Sequence, residues 1–478
     1  VSEVVIVGGG VGGLMAAIRL RVAGHEVTVV ERLGVMGGKL ATYERDGYAF
    51  DLGPSLVTMP RVFDEVFRLA GTSLGAELVL QRLSPQFRYF WQNHSAVTFY
   101  DEPVDTAAAL EAMSPGSGDE YLRFLEHARR IWEVSERTFF AGPMSGVVSL
   151  LRRMRSPRDL AAIDARRTLD KAARKHFTDP RLQQWLGRYA TYSGSSPFAT
   201  PATLSCIPAL EADEGAWYPT GGLGALRDAI VGVAERVGVH MMTKTEVTQV
   251  LMRRRRVVGV RFSTGDELAA RVVVANVDAE HLYRDLVPNA KQLKRVDKAG
   301  HSTSGVVVLV GARGKSEHIA HHNVWFSRDY AAEFAAMQRG EMPDDPTIYA
   351  CVSSVTDATQ APEGCENWFL LVNAPAGAAV DTATYGPWLV ERLAQIGIDL
   401  RDRAEFIETI GPREIAARYR SPGGAIYGTS SNGMRAAFRR PSNIGAVRGL
   451  YLVGGSSHPG GGLPMVTMSA RIVADLVR

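Results

Sequence analysis

Residues 4–14, Val-Val-Ile-Val-Gly-Gly-Gly-Val-Gly-Gly-Leu, decide the fold. Four successive apolar residues, Val4 to Val7, read as a short strand buried on both faces, the signature of a parallel sheet. Gly8, Gly10 and Gly13 follow in GxGxxG spacing, and Leu14 to Val22 read as a helix with an alanine-rich face. Gly24 ends that helix, Val27 to Val30 give a second strand, and Glu31 closes it. The glycines serve different ends. Gly8 permits the tight turn, Gly10 admits a pyrophosphate to the backbone, and Gly13 lets helix pack on strand. The helix N-terminus offers free N–H groups and a positive dipole end to phosphates. Glu31 stands where a carboxylate accepts hydrogen bonds from a ribose diol, and it would repel a 2′-phosphate. Strand, turn, helix, strand and acid in this order predict a dinucleotide site.

Outward from this unit, Arg32, then Gly37-Gly38-Lys39, then Asp51-Leu52-Gly53-Pro54-Ser55 extend the phosphate site along an elongated ligand. Lys39 reads as a phosphate or ring contact, and Asp51 as a residue that shapes the turn into Gly53-Pro54. No second GxGxxG follows a strand, so a separate nicotinamide site is not expected. The chain closes on another glycine-rich stretch. Leu450 to Val453 form an apolar strand, followed by Gly454-Gly455, His458-Pro459-Gly460-Gly461-Gly462, and a helix that Pro464 opens. Between these ends, Arg61–Ala70, Asp119–Arg137, Leu160–Lys175 and Arg181–Tyr192 show helical spacing of apolar residues. Tyr218 to Gly222 read as a turn, Leu223 to Arg236 as a helix, and Pro387 to Ile396 as a helix that begins at its proline. The predicted class is therefore α/β: a Rossmann-like domain built from 1–66, 216–285 and 418–478. It interleaves with an α+β substrate domain built from 67–215 and 286–417, mainly helical over 105–200.

The composition of the 478 residues narrows the function. Hydrophobic residues make up 46% and charged residues 22%, which excludes a disordered chain. A net charge of +3 gives no sign of a nucleic-acid partner. Cys206, Cys351 and Cys365 form neither a CxxC nor a recognisable metal spacing, so no metal is expected and a reducing cytoplasm fits best. The longest apolar run, Val4–Ile18, is shorter than the ~20 residues of a spanning helix. Glu3 before it argues against a signal peptide.

The run 449–464 resembles the C-terminal signature of bacterial-type phytoene desaturases, within the carotenoid desaturase branch of the flavin amine oxidase superfamily. The stretches 215–222, 320–323, 345–349, 361–364 and 438–441 are similar to further segments of that family, collinear over nearly the whole chain. Residues 189–197 and Met465-Val466 look most like the branch that includes hydroxycarotenoid 3,4-desaturases. The resemblance implies FAD as cofactor, a long apolar polyene as substrate, hydride transfer to the flavin in a dry tunnel, oxygen or a quinone as electron acceptor, and peripheral contact with a membrane. It implies cofactor contacts from Gly8, Gly10, Gly13, Glu31, Arg32, Gly38, Lys39, Gly53, Pro54, Ser55, Val247 (adenine edge), Gly454, Gly455, Pro464, Met465 and Val466. Trp217, Tyr218, His321 and His322 are candidate substrate contacts, and His458 is the one candidate base. Phe139 to Leu151, apolar and followed by Arg152, Arg153 and Arg155, has the pattern of an interfacial segment with cations at headgroup level. The alternative reading is an oxidase or isomerase of a smaller molecule on the same fold.

Overall fold

The computed structural model describes residues 2–144 and 146–477. Its first layer is a parallel five-stranded sheet of β1 (Glu3–Val7), β2 (Glu26–Val30), β3 (His240–Met242), β4 (Val272–Ala275) and β5 (Leu450–Leu452). Their spatial order is β3-β2-β1-β4-β5, all parallel. The chain therefore leaves β1 in one direction and later returns to its other side, which makes the crevice between β1 and β4 the topological switch point where such sheets bind ligands.

The packing of helix α1 (Val11–Val22) explains its alanine-rich face. The helix lies against the sheet, a helix at Leu223–Arg236 and the last helix, α2 (Leu463–Leu476), so Leu14, Met15, Ala17, Ile18 and Leu20 are all fully buried. Each large aliphatic side chain so buried contributes roughly 1.5–3 kcal/mol.

A second, mostly antiparallel sheet of seven strands forms the other half of the molecule. In order across the sheet these are 404–410, 304–313, 365–374, 348–351, 322–325, 87–90 and 96–99. Helices between residues 103 and 214 pack on its Phe87–Phe99 edge through Tyr121, Phe124, Phe177, Trp185 and Leu186.

Three local expectations need correction. The helix expected to start at Pro387 spans Thr382–Gln395, with the proline inside it. Asp381 caps its true start by accepting from the Ala383 N–H at 3.1 Å. Gly386 lies so near the strand beneath that a Cβ there would sit 2.2 Å from Thr409 Oγ1, and this packing overrides the break a proline favours. The segment 160–175 is two helices, Pro157–Ala162 and Leu169–His176, because Thr168 accepts from Lys171 N–H and opens a new helix. Trp217–Pro219 is a strand paired with Leu80–Arg82, leaving only the residues after it to turn.

Candidate functional site

The glycines converge at the switch point and are defined by what a side chain would strike. A Cβ on Gly13 would lie 2.4 Å from the Gly8 carbonyl oxygen, and one on Gly8 (φ +99°) 2.6 Å from the Asn276 carbonyl. Gly454, also at φ +99°, would meet Asn276 Oδ1 at 2.4 Å, and Gly53 would meet the Lys39 carbonyl at 2.0 Å. The second glycine pair docks on the first: Gly37 N–H donates to Gly9 O at 2.8 Å, and Gly10 and Gly37 form a β-bridge. No side chain caps the start of α1, whose N-cap is Gly10, so its dipole end is left for an anion.

Glu31 is buried at the end of β2. Its Oε2 accepts from the Gly9 N–H at 2.8 Å and its Oε1 from the Leu33 N–H at 2.7 Å. Two of roughly four lone-pair positions are thus used to fix the carboxylate, and the remainder can serve a diol. Lys39 is half-buried, with its Nζ donating to the Ile426 carbonyl. Desolvation pulls its pKa down to about 8, against the opposing pull of Asp278. Val247 is buried at the start of the strand Val247–Arg253, and Pro464 opens α2 beside the half-buried Met465 and Val466, with Gly455 on the loop before. Arg32 is turned elsewhere: its guanidinium donates to the Arg418 carbonyl at 2.5 Å, at the end of helix Pro412–Tyr419.

A second group gathers around Gly53-Pro54-Ser55. Ser55 Oγ lies 2.5 Å from the Tyr349 hydroxyl, which also meets His322 Nδ1 at 2.9 Å. His322 stacks on Phe87 (centroids 4.8 Å) and lies 4.4 Å from His321, whose ring is 4.5 Å from that of Tyr218. Tyr218 donates to Asp51 Oδ2 at 2.8 Å, and Asp51 Oδ1 accepts from Leu223 N–H at 2.9 Å. Burial raises Asp51 to about 6, drops His321 to about 3 and holds His322 well below the usual imidazole value, so both imidazoles are neutral. Trp217 points away and donates to the Glu214 carbonyl at 2.7 Å.

His458 lies apart from this group. Its ring is fully buried and Nε2–H donates to the Phe139 carbonyl at 2.9 Å, while burial depresses its pKa to about 3. It is a tether between the C-terminal loop and residue 139, and we assign it no role as a base.

Sequence reasoning missed Asn276. Its Nδ2 donates to Gly8 O at 3.0 Å, and its side chain fills the space between the first glycine loop and Gly454. The available signal was its position just beyond β4, at the carboxyl end of a strand at the switch point. Asp51 is not merely a turn former but holds the Tyr218 hydroxyl, and Tyr349 and Ser55 join it in orienting rings.

Comparison with known proteins agrees with this geometry. Residues 11–380 match the family described as flavin-containing amine oxidoreductase. The chain is 32% identical to a 4,4′-diapolycopene oxygenase of Methylomonas sp and 31% identical to a 4,4′-diaponeurosporene oxygenase of Staphylococcus aureus. Both alignments cover 100% of this chain and 98% of the relative. Among solved structures, a putrescine oxidase bound to putrescine aligns over 100% of this chain and 99% of its own, with TM-score 0.68 and 14% identity. The cyclohexylamine oxidase of Brevibacterium oxydans covers 100% of both chains, with TM-score 0.64 and 14% identity. At such identities the likeness shows the fold alone.

The cradle fits FAD on its own evidence: glycines that tolerate no Cβ, an uncapped helix N-terminus for the pyrophosphate, and a fixed carboxylate for the ribose. The chain is an oxidoreductase that belongs to the flavin-containing amine oxidoreductase family, and its cofactor is FAD.

Proposed function

We propose that this enzyme oxidises a long apolar polyene of the carotenoid type, taking a hydride from a C–H next to the conjugated chain. The observation that carries the reading is the end-to-end similarity to two oxygenases named for C30-type polyenes. In this reading 1–66, 216–285 and 418–478 form the cofactor domain, and the glycine cradle, Glu31 and Lys39 hold FAD. Bound FAD supplies the hydride acceptor.

The chain's own residues do the rest by excluding water and fixing position. Asp51 holds the Tyr218 ring, and Tyr349, shared between Ser55 and His322, holds the imidazole that stacks on Phe87. The wall so formed presents aromatic faces and two neutral imidazoles on which a polyene can stack. A delocalised allylic cation is a strong acid, so its proton needs only a weak acceptor. Electrons then leave to oxygen or a quinone.

The relatives' names favour a second outcome, insertion of oxygen rather than desaturation. One experiment reads both. The yellow holoenzyme is mixed anaerobically with phytoene, neurosporene, a diapo-polyene and small amines in liposomes, then exposed to isotopically heavy oxygen. Bleaching of the flavin by polyenes alone is expected. A product lighter by two hydrogens marks desaturation, and a labelled product marks oxygenation. Bleaching by the amines only would overturn the polyene reading.

We also propose a lipid surface as the source of substrate. None of the helices among the described residues is long and apolar enough to cross a membrane. The stretch 139–151 includes Ser145, which lies outside the described residues. Beyond it, the short helix Val147–Leu151 exposes Val147, Val148 and Leu151 (50%, 61% and 48%), and Leu160 nearby is also exposed. Arg152, Arg155 and Arg158 stand exposed around them, where anionic headgroups would lie. Val148→Glu with Leu151→Glu removes two insertion points of roughly 1.5–3 kcal/mol each. Co-sedimentation with anionic liposomes should fall at least tenfold while flavin content is unchanged. Retained binding would refute this surface.

A further inference from the structure

Two adjacent histidines and a cysteine 29 positions further on meet on the seven-stranded sheet. His321 directly precedes the strand His322–Trp325, and His322 lies opposite Cys351 on the antiparallel strand Ile348–Cys351. One donor atom from each of His321, His322 and Cys351 lies within 4.8 Å of the other two. All three side chains are buried, at 2%, 0% and 5% exposure.

The surroundings of the rings are those of metal ligands. Each imidazole has its Nδ1 fixed by a hydroxyl, His321 by Thr356 Oγ1 at 2.8 Å and His322 by the Tyr349 hydroxyl at 2.9 Å. Ligating histidines are oriented by partners of this kind on the nitrogen that does not bind the ion. Both Nε2 atoms are buried, and neither has a hydrogen-bond partner among the described residues. An unsatisfied buried nitrogen costs roughly 1–3 kcal/mol, and two on adjacent rings next to a free thiol point specifically to a ligand. Cys351 is a free thiol, with no disulfide partner.

We propose that His321, His322 and Cys351 bind one thiophilic closed-shell cation, Zn(II) or Cu(I). Two imidazoles and a thiolate suit these ions, and the absence of oxygen donors from the trio disfavours magnesium and calcium. Bonds of roughly 2.0–2.3 Å place donors about 3.3–3.8 Å apart, so the trio needs to close by about 1 Å. Binding replaces the Cys351 S–H bond by an S–metal bond and releases the proton to solvent; no electron is transferred. A three-coordinate set leaves one position open, and Asp51, bonded to the Tyr218 hydroxyl beside His321, is the nearby anion. Spacing along the chain carries no sign of this trio, because His322 and Cys351 are joined by strand pairing.

The proposal does not depend on the polyene reading, and its test reads metal rather than turnover. FAD-loaded protein, washed with a chelator, is titrated anaerobically with Zn(II) against a chromophoric chelator and separately with Cu(I) against a cuprous chelator. The arm that binds one equivalent identifies the ion. Co(II) serves as a spectroscopic probe, with tetrahedral bands to the red of the flavin and a thiolate charge-transfer band in the ultraviolet. Cys351→Ser should abolish the charge-transfer band and weaken binding at least ~100-fold. Thr356→Val touches no ligand atom yet should weaken binding ~10–100-fold by freeing the His321 ring. Flavin content and thermal midpoint report that each variant is folded. No stoichiometric binding of either ion, or a cobalt spectrum unchanged in Cys351→Ser, overturns the site.

Discussion

Gly13→Val yields a colourless protein. The Cβ alone would lie 2.4 Å from the Gly8 carbonyl oxygen and 2.9 Å from Asn276 Nδ2, and those two atoms are themselves hydrogen-bonded at 3.0 Å. The obstacle is backbone, clamped by the next strand, so it cannot rotate aside as a flexible side chain would. Relief requires α1 to lift from β1, which moves the uncapped helix N-terminus away from the pyrophosphate position. Overpacking of this kind costs about 1–3 kcal/mol in folding. The effect on the cofactor adds to it, and flavin affinity should fall at least ~100-fold, about 2.7 kcal/mol. Gly75→Ala is the control, because nothing lies within 4 Å of the added carbon and its φ is not left-handed. It stays yellow. Flavin absorbance per protein and dissociation on dilution decide the matter. A Gly13→Val protein with wild-type flavin content would show that the loop is not the pyrophosphate seat.

The sheet and its cradle were legible because they obey local rules. Val4–Val7, Gly8, Gly13 and Glu31 each take the conformation that their chemistry favours, and nothing distant overrides them. Arg254 and Arg255 make a hairpin turn. Both have left-handed φ in a two-residue loop between the strands 247–253 and 256–262, with their charges in solvent. Pro387 misled because its signal is local and the packing of Gly386 on Thr409 is not. The site residues divide along the same line. Gly53 could be found from its neighbours in sequence, whereas Asn276 acts on a loop 268 residues away. Asp51 and Tyr218 are separated by 167 residues, and no periodicity of either segment encodes their hydrogen bond. His458 sits in a glycine-rich run that invites a catalytic reading. Its fully buried ring and its bond to the Phe139 carbonyl depend on a contact across 319 positions.

Removing Glu211 should cost far more than removing the cation it balances. Arg188 is fully desolvated, its guanidinium 4.7 Å from the Phe87 ring centre, 5.1 Å from Tyr192 and 5.5 Å from both Tyr89 and Tyr189. It donates to the hydroxyls of Tyr89 and Tyr192, each at 3.1 Å. Tyr192 and Tyr189 in turn donate to the two oxygens of Glu211, at 2.9 and 2.6 Å. The opposite charges are thus linked through phenols rather than in direct contact. Glu211→Leu leaves a guanidinium that cannot shed its proton in an aromatic core, and about 3–5 kcal/mol of stability should be lost. Arg188→Met has a milder outcome, because the carboxyl can take up a proton; burial already raises its pKa. That escape fixes the sign of a pH dependence. A folded-state pKa above the unfolded value means the folded protein binds the extra proton. Stability in Arg188→Met is therefore fully present below the unfolded pKa of Glu211 and lost as pH rises toward the folded one, by up to about 1.4 kcal/mol per unit. The double variant Arg188→Met with Glu211→Leu removes both charges and should recover most of what Glu211→Leu loses. Denaturant unfolding of the FAD-saturated proteins at several pH values measures all three. If Glu211→Leu lies within about 1 kcal/mol of the parent, or the double variant is no better than the single, the buried charges are not coupled. The network would then be held by its hydroxyl bonds alone.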